Sequence, residues 1–164
     1  MPPPIASTVP KQEVPKLREG GMVQIFYLPA VGGRQSGPAA LRSKYNMVLA
    51  FVEGNAEGEA YLEALATAYR DIQDNQAKVI AVVPLPLKEA ANISERLKLP
   101  YSLLADESGA TTKRMLGESN HAALCVADRY GQIFYVDFAP TSASLPSVQA
   151  ALSWLDHIQI QCPE

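Results

Sequence analysis

The chain has 164 residues, 48% of them hydrophobic and 19% charged, which is the balance of one ordinary globular domain with enough apolar mass for a proper core. A formal charge of −3, with 14 scattered Lys and Arg, argues against a nucleic-acid-binding surface. Cys125 and Cys162 are too few for a disulfide framework, and neither CxxC nor Cys/His zinc spacing occurs.

Residues 1–20 carry Pro2, Pro3, Pro4, Pro10 and Pro15 among alternating charges and few large apolar groups. Proline removes backbone donors and favours extended conformations. The stretch therefore reads as a Pro-rich N-terminal arm, a solvated tail or a recognition arm, ahead of a single domain over 21–164. It lacks the basic and apolar regions of a signal peptide. No apolar stretch approaches the roughly 20 residues that span a bilayer. The expectation is a cytoplasmic protein with no membrane insertion.

Residues 22–28 are strand-like by β-propensity, and 29–38, with Gly32, Gly33 and Gly37, form a loop. Residues 41–45 predict a helical turn. The run Met47, Val48, Leu49, Ala50, Phe51, Val52 is continuously apolar and short, the pattern of a strand buried on both faces. Glu53 and Gly54 break it, and Asn55 is placed to cap a helix. Tyr61, Leu65, Ala68, Tyr69 and Ile72 then recur on one helical face.

Residues 78–83 give a second buried strand closed by Pro84, so strand, helix and strand make a βαβ unit with a right-handed crossover. Pro86 suits the first turn of the next helix, whose apolar stripe is Ala90, Ile93 and Leu97. Residues 101–104 are extended. Asp106, Glu107, Ser108 and Gly109 lead through a capped turn into a short helix that Gly117 stops. Residues 122–127 form a strand, Asp128 to Gly131 a hairpin turn, and 132–137 the antiparallel return. Val148, Leu152, Leu155 and Ile158 mark a final amphipathic helix. This order predicts an α/β fold, a mixed central β-sheet flanked by helices on both faces.

Three phrases carry a family resemblance: the central strand from Asn46 with its partner from Val79, the segment 97–110 (Leu-Lys-Leu-Pro-Tyr-Ser-Leu-Leu-Ala-Asp-Glu-Ser-Gly-Ala), and 127–133 (Ala-Asp-Arg-Tyr-Gly-Gln-Ile). In that order and spacing, over about residues 22–160, they resemble the peroxiredoxin-like redoxins of the thioredoxin-fold superfamily, the alkyl hydroperoxide reductase/thiol-specific antioxidant (AhpC/TSA) family. The resemblance implies a thioredoxin-like fold, thiol-dependent oxidoreductase chemistry in cell redox homeostasis, and no cofactor. In such proteins a thiolate stands at the N-terminus of the helix after the central strand, stabilised by the helix dipole. A Thr three residues upstream and an Arg from a later strand bind the peroxide. Here the turn reads Glu53, Gly54, Asn55, Ala56, Glu57, Gly58, Glu59, with neither Cys nor Thr. Ala122 occupies the Arg position, and Ala123 stands where thioredoxins keep a cis-proline. The resemblance thus implies a degenerate peroxidatic site.

Gly54, Asn55, His121 and Ala123 mark the vacated redoxin cleft as a candidate binding site. Cys125, inside an apolar strand, packs as a small hydrophobe or serves as a redox partner. Cys162, in the C-terminal tail, is a surface thiol or the reacting one. His121 precedes its strand as a loop residue or a general acid/base. Glu53, Glu57 and Glu59 fit the first turn of a helix without a cation, so no metal is expected.

Three functions follow. The first is a non-peroxidase binding or regulatory protein that recognises a protein partner, a small ligand or a second copy as a homodimer. The second is a thiol oxidoreductase or peroxidase using Cys162 with Cys125. The third is a structural subunit of a larger assembly, with the arm as tether.

Overall fold

Side chains alternate across a strand, so a continuously apolar run has somewhere to bury both of its faces only if layers cover the sheet on both sides. The computed structural model, which describes residues 15–161, has that architecture. Two short strands, β1 (Leu28–Pro29) and β2 (Gln35–Ser36), pair antiparallel ahead of the main sheet. The sheet is built from β3 (Asn46–Phe51), β4 (Ala77–Val83), β5 (Ser102–Ala105), β6 (Ala122–Ala127) and β7 (Ile133–Ala139), in the order β5-β4-β3-β6-β7. β3, β4 and β5 run parallel, β6 runs antiparallel to β3, and β7 antiparallel to β6, so the sheet is mixed.

The helices are α1 (Ala56–Thr67), α2 (Tyr69–Asp74), α3 (Leu87–Leu97), α4 (Ala110–Leu116) and α5 (Val148–Gln161). Val48, Ala50, Val79, Ala81, Leu124 and Val126 face a layer containing Leu62, Leu65, Ile72, Ile93, Leu155 and Ile158, so α1, α2, α3 and α5 cover one face. Met47, Leu49, Phe51, Ile80, Val82 and Cys125 face Met115 and Leu116 of α4, together with Leu17, Val23, Phe26 and Leu41. Each large apolar side chain buried in these layers contributes roughly 1.5–3 kcal/mol relative to exposure. Among the described residues no helix is long and apolar enough to cross a membrane.

Three details depart from the sequence reading. Residues 22–28 are not a strand along their length: Met22 makes a single antiparallel bridge to Gln132, and only Leu28 and Pro29 pair with β2. The helix after β3 is broken at Ala68, which ends α1 and begins α2. One residue earlier the Thr67 hydroxyl donates back to the Glu63 carbonyl (3.0 Å), a contact that bends helices. The buried face is Leu62, Leu65, Tyr69 and Ile72, while Tyr61 lies at its margin and donates its hydroxyl to the Pro146 carbonyl (2.8 Å).

The third concerns the arm. Leu17 is buried, the Lys16 and Leu17 N–H groups donate to the Met115 carbonyl, and the Gly20 N–H donates to the Ile133 carbonyl (2.8 Å). Packing of the domain therefore begins before residue 21. The rest of the Pro-rich arm, 1–14, and the tail from 162 lie outside the described residues.

Turn chemistry at the β6–β7 hairpin follows the sequence. Gly131 takes a left-handed φ of 89°, and Asp128 Oδ1 accepts from the Tyr130 and Gln132 N–H groups at 2.9 Å each. Ala127 faces Ile133 while Val126 faces Tyr135, so Phe134 is the extra residue of a β-bulge.

Candidate ligand-binding cleft

The chain lays down β3, β4 and β5 toward one edge and then returns to place β6 on the opposite side of β3. Where strand order reverses in this way, the following helices leave on opposite faces and a crevice opens at the strand ends. α1 and α4 do so here, and between them lies a cleft of about 650 Å³. It is lined by Glu53, Gly54, Asn55, Pro84, Gly109, Thr112, Lys113, Gly117, Glu118, Asn120 and His121.

The β3–α1 turn forms one wall. Asn55 is extended (φ −139°), and its Oδ1 accepts the Gly58 N–H at 3.0 Å, so it caps α1. Gly54 lies against Leu85, which an added Cβ would meet at 2.7 Å. Glu53 is engaged on both its backbone and its side chain. Its N–H donates to the Ser142 hydroxyl (2.8 Å), and its carboxylate accepts the Ser142 N–H (2.9 Å). Glu59 pairs with Arg96 of α3 at 2.8 Å, which raises the pKa of the guanidinium further. Two of the three carboxylates are therefore occupied in holding the turn. Among the described residues no group of three or more His, Cys, Asp or Glu side chains is arranged to hold a metal ion.

The opposite wall comes from α4 and the loop after it. Asp106, buried at the end of β5, accepts the Thr111 and Thr112 N–H groups at 3.3 and 2.7 Å and anchors the first turn of α4. The Thr112 hydroxyl is buried and has no hydrogen-bond partner among the described residues. Lys113 and Glu118 pair at 3.3 Å with both side chains exposed, a contact worth at most about 1 kcal/mol. Asn120 donates its Nδ2 to the Leu116 carbonyl (3.1 Å), and the exposed His121 donates its N–H to the Ala139 carbonyl (3.1 Å). The walls thus carry amides, an imidazole, the Glu53 carboxylate and a lysine paired with Glu118, groups of little net charge.

The sequence matches no protein-family profile and no curated protein. Solved structures do match. The peroxidoxin BcpB of Mycobacterium tuberculosis superposes with a TM-score of 0.74 at 19% identity, covering 87% of this chain and 98% of that one. The reduced 2-Cys peroxiredoxin of Plasmodium vivax gives 0.76 at 16% identity, over 87% and 82% of the two chains. A mutant of the peroxiredoxin 6 of Arenicola marina gives 0.76 at 14%, over 90% and 76%. The chain has the peroxiredoxin fold.

Within this peroxiredoxin fold the residues named from sequence are dispersed. Gly54, Asn55 and His121 come together on the cleft. Ala123 does not line it. It is fully buried in β6 between Phe51 and Phe138, on the face toward α4, whereas His121 precedes the strand. Cys125 is likewise buried, between Leu49 and Val136, where loss of solvent pushes its thiol up to about 12. Cys162 lies outside the described residues. Thr112, Lys113, Glu118 and Asn120, absent from the sequence reading, complete the cleft. The capped turn at Asp106 announces α4 but not the face it presents across the sheet end.

Replacing the α1 cap tests the wall directly. Asn55→Ala is expected to cost about 1 kcal/mol, read as a lowered urea midpoint with an unchanged slope.

Proposed function

We propose that this peroxiredoxin-fold protein is not a peroxidase of the usual kind but a cytoplasmic binding or regulatory protein. Its cleft between α1 and α4 receives a small polar ligand or the polar side chains of a partner protein. The observation that supports this most is the helix start itself. The position where a reactive thiol would gain from the dipole is filled by the cap Asn55, followed by Glu57 and Glu59. The one thiol among the described residues, Cys125, is sealed in the sheet and protonated at neutral pH.

Stopped-flow peroxide consumption with a thiol reductant tests it, on the wild-type chain and on Cys162→Ser. Rates at the free-thiol background are expected for both. Under the same conditions iodoacetamide should leave Cys125 unmodified until the protein is unfolded. Peroxide loss well above background that disappears in Cys162→Ser would instead place the chemistry on the C-terminal thiol. That is the second reading, favoured by the peroxiredoxin likeness of the fold.

A further inference from the structure

Away from the cleft, the segment 15–25 and Arg42 enclose a second cavity of about 680 Å³. Every ionisable side chain that lines it, Lys16, Arg18 and Arg42, is cationic, and no carboxylate does so. Such a grouping runs against the net charge of −3 for the whole chain. None of the three forms an ion pair among the described residues.

The cations are held in place by the fold. Lys16 and Arg18 flank the buried Leu17, so alternation brings both side chains out on one side, and the Lys16 and Leu17 amides are anchored on the Met115 carbonyl. The Arg42 guanidinium lies over Gly131, where an added Cβ would meet Nη2 at 2.6 Å, and Nη2 donates to the Val23 carbonyl at 3.1 Å. Its Nε is buried with no hydrogen-bond partner among the described residues. Buried donors are ordinarily paired, so a guanidinium left in this condition fits a site that is completed by an acceptor from outside. Met22 and Ile25, exposed by 52% and 53%, line the same cavity and add apolar surface beside the charges.

We infer that this cavity binds a small phosphate-bearing molecule with a short apolar portion. Arg42 and Arg18 hold the phosphate through charge-assisted hydrogen bonds, Lys16 neutralises its remaining charge, and Met22 and Ile25 cover the apolar part. The concavity of the site favours a small molecule over a membrane surface. This site is separate from the α1–α4 cleft and stands or falls independently of the function proposed for it.

The test is an NMR titration of the ¹⁵N-labelled full chain with hexyl phosphate, inorganic phosphate and hexanoate. Sedimentation with phosphatidylcholine vesicles containing phosphatidic acid runs beside it. Expected are saturable shifts at the amides of 16–25 and at the Arg42 Nε–H, strongest with hexyl phosphate, then inorganic phosphate, and weakest with hexanoate. The dissociation constant should rise about tenfold or more in the Lys16→Gln/Arg18→Gln double variant and rise again with added salt. Both of those side chains are exposed, so the variant keeps its fold, which the unperturbed amides of β3 and β4 would verify. Arg42→Lys should weaken binding as well, because an ammonium keeps the charge but loses the planar fork. Absence of saturable shifts with all three anions, or shifts that survive the double variant, would overturn the proposal. So would binding confined to vesicles, which would make this face a membrane contact.

Discussion

Gly58→Ala is expected to destabilise the protein by about 2–3 kcal/mol, although alanine is the better helix former by about 1 kcal/mol. Gly58 sits in the first turn of α1, where a Cβ would collide with the Glu53 carbonyl oxygen. The carbonyl has little room to retreat. Glu53 is bonded to Ser142 through both its N–H and its carboxylate, and the Val52 N–H donates to the Val82 carbonyl (3.1 Å). Relief would have to come from α1 shifting away, at the expense of the Asn55 cap and the burial of Leu62 and Leu65. Urea denaturation separates the two effects, since propensity raises the midpoint and the collision lowers it. A midpoint equal to or above the parent value would show that the close approach of Glu53 imposes no constraint.

Asn46→Ala should cost about 3 kcal/mol, from groups left unsatisfied away from water at about 1–3 kcal/mol each. The side chain is 5% exposed and ties four parts of the chain together. Its Nδ2 donates to the Asn75 carbonyl at the end of α2 (3.1 Å) and to Gln159 Oε1 of α5 (3.2 Å). Its Oδ1 accepts the Arg129 N–H in the β6–β7 turn (3.1 Å). Alanine removes all three bonds and leaves a void at the start of the central strand. Gln159→Ala alone should cost much less, because that side chain is only half-buried, and the two together should fall short of additivity by about 0.5–1 kcal/mol. A loss below about 1 kcal/mol for Asn46→Ala would mean that water replaces the amide at no real cost.

Much of this fold is legible in the sequence because the buried strands carry unbroken apolar runs. At that length, and closed by Gly, Pro and Asp, the runs of β3, β4 and β6 favour strands over helices. Residues 22–28 were harder. Their β-propensity is satisfied by contacts other than a ladder, with Val23, Phe26 and Leu28 buried against the sheet and no strand partner along most of the segment. Propensity reports what suits a pleated, half-buried surface, not whether a neighbour arrives. The helix after β3 shows a related limit. Tyr61 and Leu62 are adjacent and both apolar, and packing buries Leu62 while Tyr61 stays at the margin beside Pro146.

The cleft was half visible. Gly54, Asn55 and His121 lie where strand ends must open, whereas Thr112, Lys113 and Asn120 arrive from a helix whose orientation depends on packing across the sheet. Nothing in the local pattern marks them. The cationic cavity was less visible still. Lys16, Arg18 and Arg42 look scattered along the chain and meet only because Gly20 and Val23 are hydrogen-bonded to the β6–β7 hairpin.

That same clasp sets an order of events during synthesis. Lys16 and Leu17 bond to Met115, and Gly20 bonds to Ile133. Lys16, Leu17 and Gly20 thus wait for partners made roughly a hundred residues later, a separation that slows folding. Until β7 has left the ribosome, Leu17, Val23 and Phe26 have no complete surface to cover, and the newborn chain carries them exposed. Fragments that stop short of the hairpin should therefore be sticky rather than partly folded, and the face of the sheet toward α4 should close last.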